Sequence, residues 1–334
     1  MTETPADQIF PDTPARPPFD PELVPVLEAA RQDASPFSAE NLALIRQLSA
    51  EGLPGVEPVD LSVGGAVRVE ERQVPGPEGA PDITLLILSP AADGPPRPAI
   101  YHVHGGGMVI GNRRLGLETF LPYVSDGSAV VVSVEYRLAP EHPDPAPVED
   151  CYAGLVWTAK NAADLGVAPE RIMIAGTSAG GGLAAGTALL ARDRAFPMLS
   201  HQILICPMLD DRFETHSSRM LDEEGLWDRN ANLFGWTALL GDRRGGPDVS
   251  PYAAPARAQD LAGLPRTYID TGSAETFRDE TLTYARRLSE AGVSVDLHMW
   301  GGGFHGFDMM AADAAVSRAS IATRDEFVRR ALAG

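Results

Sequence analysis

The sequence predicts an α/β fold, with a mainly parallel central sheet flanked by helices and a helical cap over one end of it. Three observations carry this expectation. Short apolar runs such as residues 129–134 (AVVVSV) read as strands buried on both faces. They alternate with amphipathic or Ala-rich stretches of ten or more residues, the rhythm of successive strand-helix-strand units. The rhythm is interrupted once, from about Leu209 to Gly246, by a stretch rich in large apolar side chains that contains no strand pattern.

Taken in order, residues 1 to about 22 are proline-rich and without apolar periodicity, which predicts an extended or poorly ordered lead-in. Glu22 to Arg31 and Ser38 to Ser49 space Leu, Val and Ile as helices do, with Ser38 as the cap of the second. From Ala66 the pattern changes to strands: VRVEERQV alternates, ITLLILS is a short apolar run, and turn-forming PGPEGAP and ADGPPRP punctuate them. PAIYHVH and AVVVSVEY are buried strands, Pro147 to Leu165 a helix, RIMIAG a strand and Ala179 to Arg192 a helix. HQILICP and RTYIDTG continue the strand series, followed by a helix at Glu280 to Ala291, a last strand SVDLHMW and a closing helix at Ala311 to Leu332. The interruption carries Phe213, Met220, Leu226, Trp227, Leu233, Phe234 and Trp236, and is expected to pack with the N-terminal helices over the sheet. The expected organisation is a cap segment at 1–50, the first part of the core at 51–208, a cap insertion at 209–246 and the second part of the core at 247–334.

Composition narrows the function. Of 334 residues, 44% are hydrophobic and 22% charged, enough apolar material for a sizeable core and too much for disorder. The 27 Lys and Arg against 46 Asp and Glu leave a net charge of −19, which repels phosphate backbones and anionic lipid, so neither nucleic acid nor a membrane surface is an expected partner. The apolar runs fall well short of the roughly 18 residues of a membrane span. The N-terminus is acidic, with no basic patch leading into an apolar segment, and a cytoplasmic location is the default expectation. Cys151 and Cys206 lie in separate elements, so no disulfide framework or thiolate metal site is expected. Lys160 has no glycine-rich phosphate loop before it, which argues against a P-loop enzyme.

The chemistry centres on Gly176-Thr177-Ser178-Ala179-Gly180, between the strand RIMIA and an Ala-rich helix. A nucleophile on a sharp strand-to-helix turn needs small neighbours two residues before and after it, the G-x-S-x-G elbow. A serine hydroxyl needs a base, and His305, in the glycine-rich loop GGGFHGFD after the last strand, is placed to swing over the elbow. Among the other histidines, His298 is a strand residue and His142, His201 and His216 read as loop or surface groups; His102 and His104 are spaced as a metal pair, but no third ligand supports that reading. An acid must hold the imidazole's tautomer, and the chain order Ser, acid, His puts it after the strand RTYID, where Asp270, Glu275, Asp279 and Glu280 are candidates. Asp270 belongs to the strand end, and Asp279 and Glu280 suit the first turn of a helix; Glu275, mid-loop, is the preferred acid with Asp279 as its rival. His104-Gly105-Gly106-Gly107, 74 residues before the elbow counted from His104 to Ser178, offers unobstructed amides for an oxyanion, Gly106 and Gly107 acting with the amide of Ala179.

HGGG, VEYRLAPEH (residues 134–142), GTSAGGG and FHGF, in this order and spacing, resemble the bacterial hormone-sensitive-lipase-like esterases, an α/β-hydrolase family, from about Ala66 to the C-terminus. The resemblance implies the α/β-hydrolase fold, a cap built of the N-terminal helices and the insertion, and cleavage of a small-molecule ester through an acyl-enzyme, with no metal or organic cofactor. A homodimer through the last helix fits the same resemblance. Thr177 matches the family branch with Thr before the nucleophile. Where the family usually shows Asp in a D-x-L-R-D-E segment, this chain has Glu275 at the head of ETFRDE, so the register is kept and the acid is longer. Amide or carbamate hydrolysis by the same triad, and ligand binding without catalysis, are the rival readings. Met208, Leu209, Trp227, Phe234 and Trp236 are expected to line an enclosed pocket for short acyl chains.

Overall fold

In a computed structural model of the chain, residues 13–32, 37–51 and 59–334 are described. Eight strands form one sheet: β1 (Val67–Val74), β2 (Ile83–Pro90), β3 (Arg97–Val103), β4 (Val130–Glu135), β5 (Val167–Thr177), β6 (His201–Ile205), β7 (Arg266–Gly272) and β8 (Val295–Trp300). Their order across the sheet is β1-β2-β4-β3-β5-β6-β7-β8. β1 and β2 pair antiparallel, as do β2 and β4, and from β4 to β8 every pairing is parallel. That is what the sequence separates: the alternating, charged β1 is an edge strand buried only at Val67 and Val74, whereas β2 to β7 are largely apolar because both faces are covered.

The described helices are α1 (Val24–Gln32), α2 (Leu42–Glu51), α3 (Leu121–Ser125), α4 (Ala146–Lys160), α5 (Ala179–Asp193), α6 (Ser217–Met220), α7 (Arg229–Leu240), α8 (Arg278–Glu290), α9 (Phe307–Met310) and α10 (Ala315–Ala333). On one face of the sheet Val148, Leu155, Leu183, Leu190, Tyr284 and Leu288 bring α4, α5 and α8 into the larger core cluster. On the other, Leu121 and Val124 of α3 and Phe327, Val328 and Leu332 of α10 close a second cluster against Ile100, Val131 and Tyr268.

The local signals hold at several ends. Ser38 Oγ accepts from Asn41 N at 3.3 Å while Asn41 Oδ1 accepts from Ser38 N at 2.9 Å, a reciprocal cap at the entry to α2. Asp228 caps α7 by accepting from Asn230 N and Ala231 N at 3.0 and 2.8 Å. The stretch 209–246 contains α6 and α7 and no strand. Two expectations are corrected. The closing helix is not continuous from Ala311: a short α9 is followed by a turn, and α10 starts at Ala315, whose amide is capped by Glu22 Oε2 at 2.8 Å. The lead-in is not loose from Thr13 onward. Asp20 N donates to Gly302 O at 3.0 Å, Phe19 meets Phe304 edge-on at 6.4 Å, and Leu23 and Leu27 share a buried cluster with Phe304, Phe307 and Ala314. Proline suppressed helical periodicity without suppressing contact, and residues 1–12 lie outside the described residues.

Candidate active site

Ser178 sits between the end of β5 and the start of α5 with φ 60° and ψ −125°, a left-handed conformation that costs a non-glycine residue of order 1–3 kcal/mol. The surroundings enforce it. Ser178 N donates to Ile205 O at 2.8 Å, while its carbonyl accepts from Met208 N at 3.0 Å and Gly182 N at 3.1 Å. The flanking glycines allow the approach: a Cβ on Gly176 would stand 2.1 Å from Gly180 O, and one on Gly180 would stand 2.1 Å from Val103 O.

The imidazole of His305, in the loop between β8 and α9, places Nε2 2.9 Å from Ser178 Oγ and Nδ1 2.7 Å from Glu275 Oε2. Glu275 is fully buried in the loop between β7 and α8, and its Oε1 accepts from Gly272 N at 3.1 Å and from the Thr271 hydroxyl. Phe277 packs edge-on to the imidazole at 5.1 Å. The other acids are engaged elsewhere. Asp279 Oδ2 accepts from Ser217 N at 2.8 Å and its Oδ1 from Arg278 Nε at 2.7 Å, which ties α8 to α6. Glu280 accepts from Leu209 N at 2.7 Å and Asp210 N at 3.2 Å, and burial pushes its carboxyl well above the usual range.

The glycine loop after β3 faces the same space. Gly106 and Gly107 have φ of 111° and 62°, and a Cβ on Gly107 would stand 2.3 Å from the Trp227 ring. His104 is a brace: stacked on Tyr136 at 4.1 Å with Nδ1 2.8 Å from Gly105 O, it is neutral because burial drives its pKa down to about 4. His102 Nδ1 lies 2.9 Å from Ser133 Oγ, and burial likewise lowers its pKa, to about 3. Neither His102 nor His104 belongs to a group of three or more possible metal ligands among the described residues. A group of possible metal ligands among the described residues is Cys206, Glu275 and His305, within 4.8 Å of one another, but Glu275 and His305 already hold each other and burial keeps the Cys206 thiol protonated.

A cavity of about 400 Å³ opens in front of Ser178 and His305. Its walls are apolar, from Leu44, Ile45 and Leu48 of α2, Ile110, Trp227 and Met309. Of the five expected pocket residues, Trp227 alone borders this cavity. Met208, Leu209 and Trp236 are fully buried in the larger core cluster, and Phe234 stacks on Phe37 at 6.0 Å one layer behind the wall. The reason is the close seating of the chain after β6: Met208 O comes so near α5 that a Cβ on Gly182 would be 2.0 Å from it, which turns this stretch into core. The wall it was expected to form is supplied by α2.

A buried ion cluster behind the site has no mark in the sequence pattern. Arg324 of α10 donates to Asp308 Oδ2 at 2.8 Å, just after the His305 loop, and lies 3.7 Å from Asp270 Oδ2, at the end of β7 before the Glu275 loop. Tyr268 OH also donates to Asp270, at 2.8 Å. Burial raises the Asp270 carboxyl from 3.8 to about 6, against the opposing pull of the more distant Arg324. The sign follows: the folded state favours the neutral acid, so its contribution to stability is present below about pH 4 and lost as pH rises through about 6. The melting temperature of Asp270→Asn minus that of the parent should therefore climb between pH 4 and pH 7 in calorimetry. A constant difference would contradict the raised carboxyl.

This arrangement, an elbow serine bonded to a histidine that is bonded to a buried acid at the ends of a parallel sheet, defines a serine hydrolase site on an α/β frame. The chain belongs to the α/β-hydrolase fold family, whose profile matches residues 100–309, in its hormone-sensitive-lipase-like branch. Carboxylesterase NlhH of Mycobacterium tuberculosis is 36% identical over 295 residues, covering 85% of this chain and 87% of that protein. Esterase LipI of the same organism is 33% identical over 323 residues, covering 92% and 95%. Among solved structures, a bacterial heroin esterase superposes with a TM-score of 0.84 at 39% identity, covering 94% of this chain and 98% of that one.

Proposed function

We propose that the protein hydrolyses short-chain carboxylic esters of small molecules, with Ser178 as nucleophile, His305 as general base and then general acid, and Glu275 as the group that orients His305. The observation that carries this is the unbroken Glu275–His305–Ser178 relay, at 2.7 and 2.9 Å, opening into an apolar cavity. The relatives' names give the reaction class, ester hydrolysis. In the first half-reaction Ser178 Oγ adds to the ester carbonyl as its proton passes to His305 Nε2, and the developing oxyanion is met by the amides of Gly106, Gly107 and Ala179. His305 returns that proton to the departing alkoxide as the C–O bond breaks. Water, deprotonated by the same nitrogen, then releases the acid from Ser178. Burial of Glu275 among three donors keeps the imidazole in the tautomer this sequence requires.

In this reading the cap consists of the N-terminal helices and residues 209–246, supported by α2 and Trp227 both lining the cavity. Among the described residues no helix is long and apolar enough to cross a membrane. A cytoplasmic setting belongs to the same reading, and the two buried cysteines, both free thiols, agree with it.

A cavity near the small end of the usual ligand-pocket range favours short acyl groups. Aryl esters with acyl chains of about two to six carbons should show the highest kcat/KM, and longer chains should fall off because overpacking costs about 1–3 kcal/mol. A maximum above about ten carbons, or a jump in rate on emulsified triglyceride, would point instead to a lipase with a mobile lid.

A further inference from the structure

We infer that His102 and Thr177 form a polar subsite for an oxygen function on the acyl group, so that the preferred substrates are esters of short hydroxy- or oxo-acids. The inference rests on the ester-hydrolase reading above and names its substrate class.

The cavity is apolar nearly throughout, but its lining, which includes Gly105, Leu115 and Gly116, also carries two side chains with unspent hydrogen-bonding capacity. His102 is 1% exposed. Its Nδ1 is paired with Ser133 Oγ, whereas Nε2 has no hydrogen-bond partner among the described residues. That nitrogen is at the edge facing Gly116: a Cβ there would stand 3.6 Å from Nε2 and 3.9 Å from the neighbouring ring carbon. Thr177, immediately before the nucleophile, also lines the cavity, and its hydroxyl has no partner among the described residues either. A polar atom on an otherwise apolar wall loses its hydration when an apolar group fills the cavity, so a ligand atom that bonds to it gains discrimination over one that does not.

The sheet order and the catalytic geometry together say which arm of the ester meets these side chains. β3, which carries His102, lies on one side of the nucleophile strand β5, and β7 and β8, whose loops carry Glu275 and His305, lie on the other. The leaving alkoxide must take its proton from His305 and therefore departs toward β7 and β8. The oxyanion faces the Gly106 and Gly107 amides, and the acyl chain takes the direction that remains, into the part of the cavity that His102 and Thr177 line. The ligand is a neutral oxygen rather than a carboxylate, because His102, with its pKa near 3, is an uncharged donor or acceptor at working pH. Since Thr177 adjoins the nucleophile, the oxygen belongs within the first few carbons of the acyl chain.

The test compares 4-nitrophenyl 3-hydroxybutanoate, each enantiomer separately, with the isosteric 4-nitrophenyl 3-methylbutanoate, the rates being normalised to hydroxide-catalysed hydrolysis. The parent enzyme should favour one hydroxy enantiomer by about five- to ten-fold in kcat/KM. His102→Leu and Thr177→Val should each draw that ratio toward one, and His102→Gln, which keeps a hydrogen-bonding atom, should retain most of it. Should His102→Leu fail to fold, the isosteric Thr177→Val carries the comparison. A parent ratio at or below one for both enantiomers overturns the inference, as does a ratio that both variants leave unchanged. Failure of the parent to hydrolyse either ester would overturn the ester-hydrolase reading, and the subsite with it.

Discussion

Ser178→Ala, and separately His305→Ala, should lower kcat on a short-chain aryl ester by on the order of 10⁶-fold, and the double variant should be little worse than either. The effect is this large because the two atoms act as one unit. Oγ is a competent nucleophile only while Nε2, 2.9 Å away, takes its proton, and Nε2 has no proton to return to the leaving group unless Oγ has supplied it. Stability should move far less. Removing the hydroxyl of Ser178 leaves every backbone hydrogen bond of the elbow in place, and alanine at this position retains the same strained φ. Stopped-flow release of 4-nitrophenol separates the cases: the parent should show a burst equal to one acyl group per active site, and neither variant should. Purified Ser178→Ala turning over at a tenth of the parent rate would end the serine mechanism.

Glu275→Gln is the next largest expected loss, about 10⁴-fold in kcat, on the scale of the Asp-to-Asn change in a serine protease triad. The amide is nearly isosteric, so the loss is electronic. Glu275 Oε1 accepts two hydrogen bonds, from Gly272 N and the Thr271 hydroxyl, which fixes the amide oxygen of a glutamine on that side. The amide nitrogen is then forced toward His305 Nδ1, where it donates, and the imidazole is driven into the tautomer whose proton sits on the wrong nitrogen. Asp279→Asn should cost far less activity, because Asp279 holds Ser217 N and Arg278 rather than the imidazole. If the two variants ranked in the opposite order in kcat, Asp279 would be the acid and the geometry of the Glu275 loop would differ in solution.

The parts of the fold that were legible in the sequence are those where a few adjacent residues carry the constraint. RTYIDTG was read as a strand and occupies β7 at the same bounds, because an apolar run between turn signals has one outcome in a sheet covered on both faces. The elbow was legible for a similar reason: the glycines at 176 and 180 answer to atoms within a few residues or on the adjacent strand. Glu275 was separable from Asp279 only by its place in the loop, and the extra methylene is accommodated by a carboxylate anchored on its own strand end through Thr271 and Gly272. The pocket was the poorest reading. Large apolar side chains near the site suggest a lining, yet Met208 and Trp236 face inward, and whether a tryptophan points to core or cavity depends on where α2, almost two hundred residues away in the chain, comes to rest. Arg324 was silent for the same reason: its partners Asp270 and Asp308 are unremarkable acids until the last helix is folded against the sheet.

The packing of residues 13–27 under the His305 loop gives this proline-rich stretch a weight that its composition conceals. Gly302, three residues before His305, is bonded to Asp20, and Phe304, its immediate neighbour, is packed by Phe19 and Leu23. His305 thus rests on residues that precede it by more than 270 positions in the sequence. In a ribosome-bound chain residues 13–27, the glycine loop and the serine elbow all emerge before the histidine that the first of them steadies. The placement of His305 accordingly depends on contacts between segments far apart in the sequence, so a nick near Asp20 should lower kcat without touching Ser178.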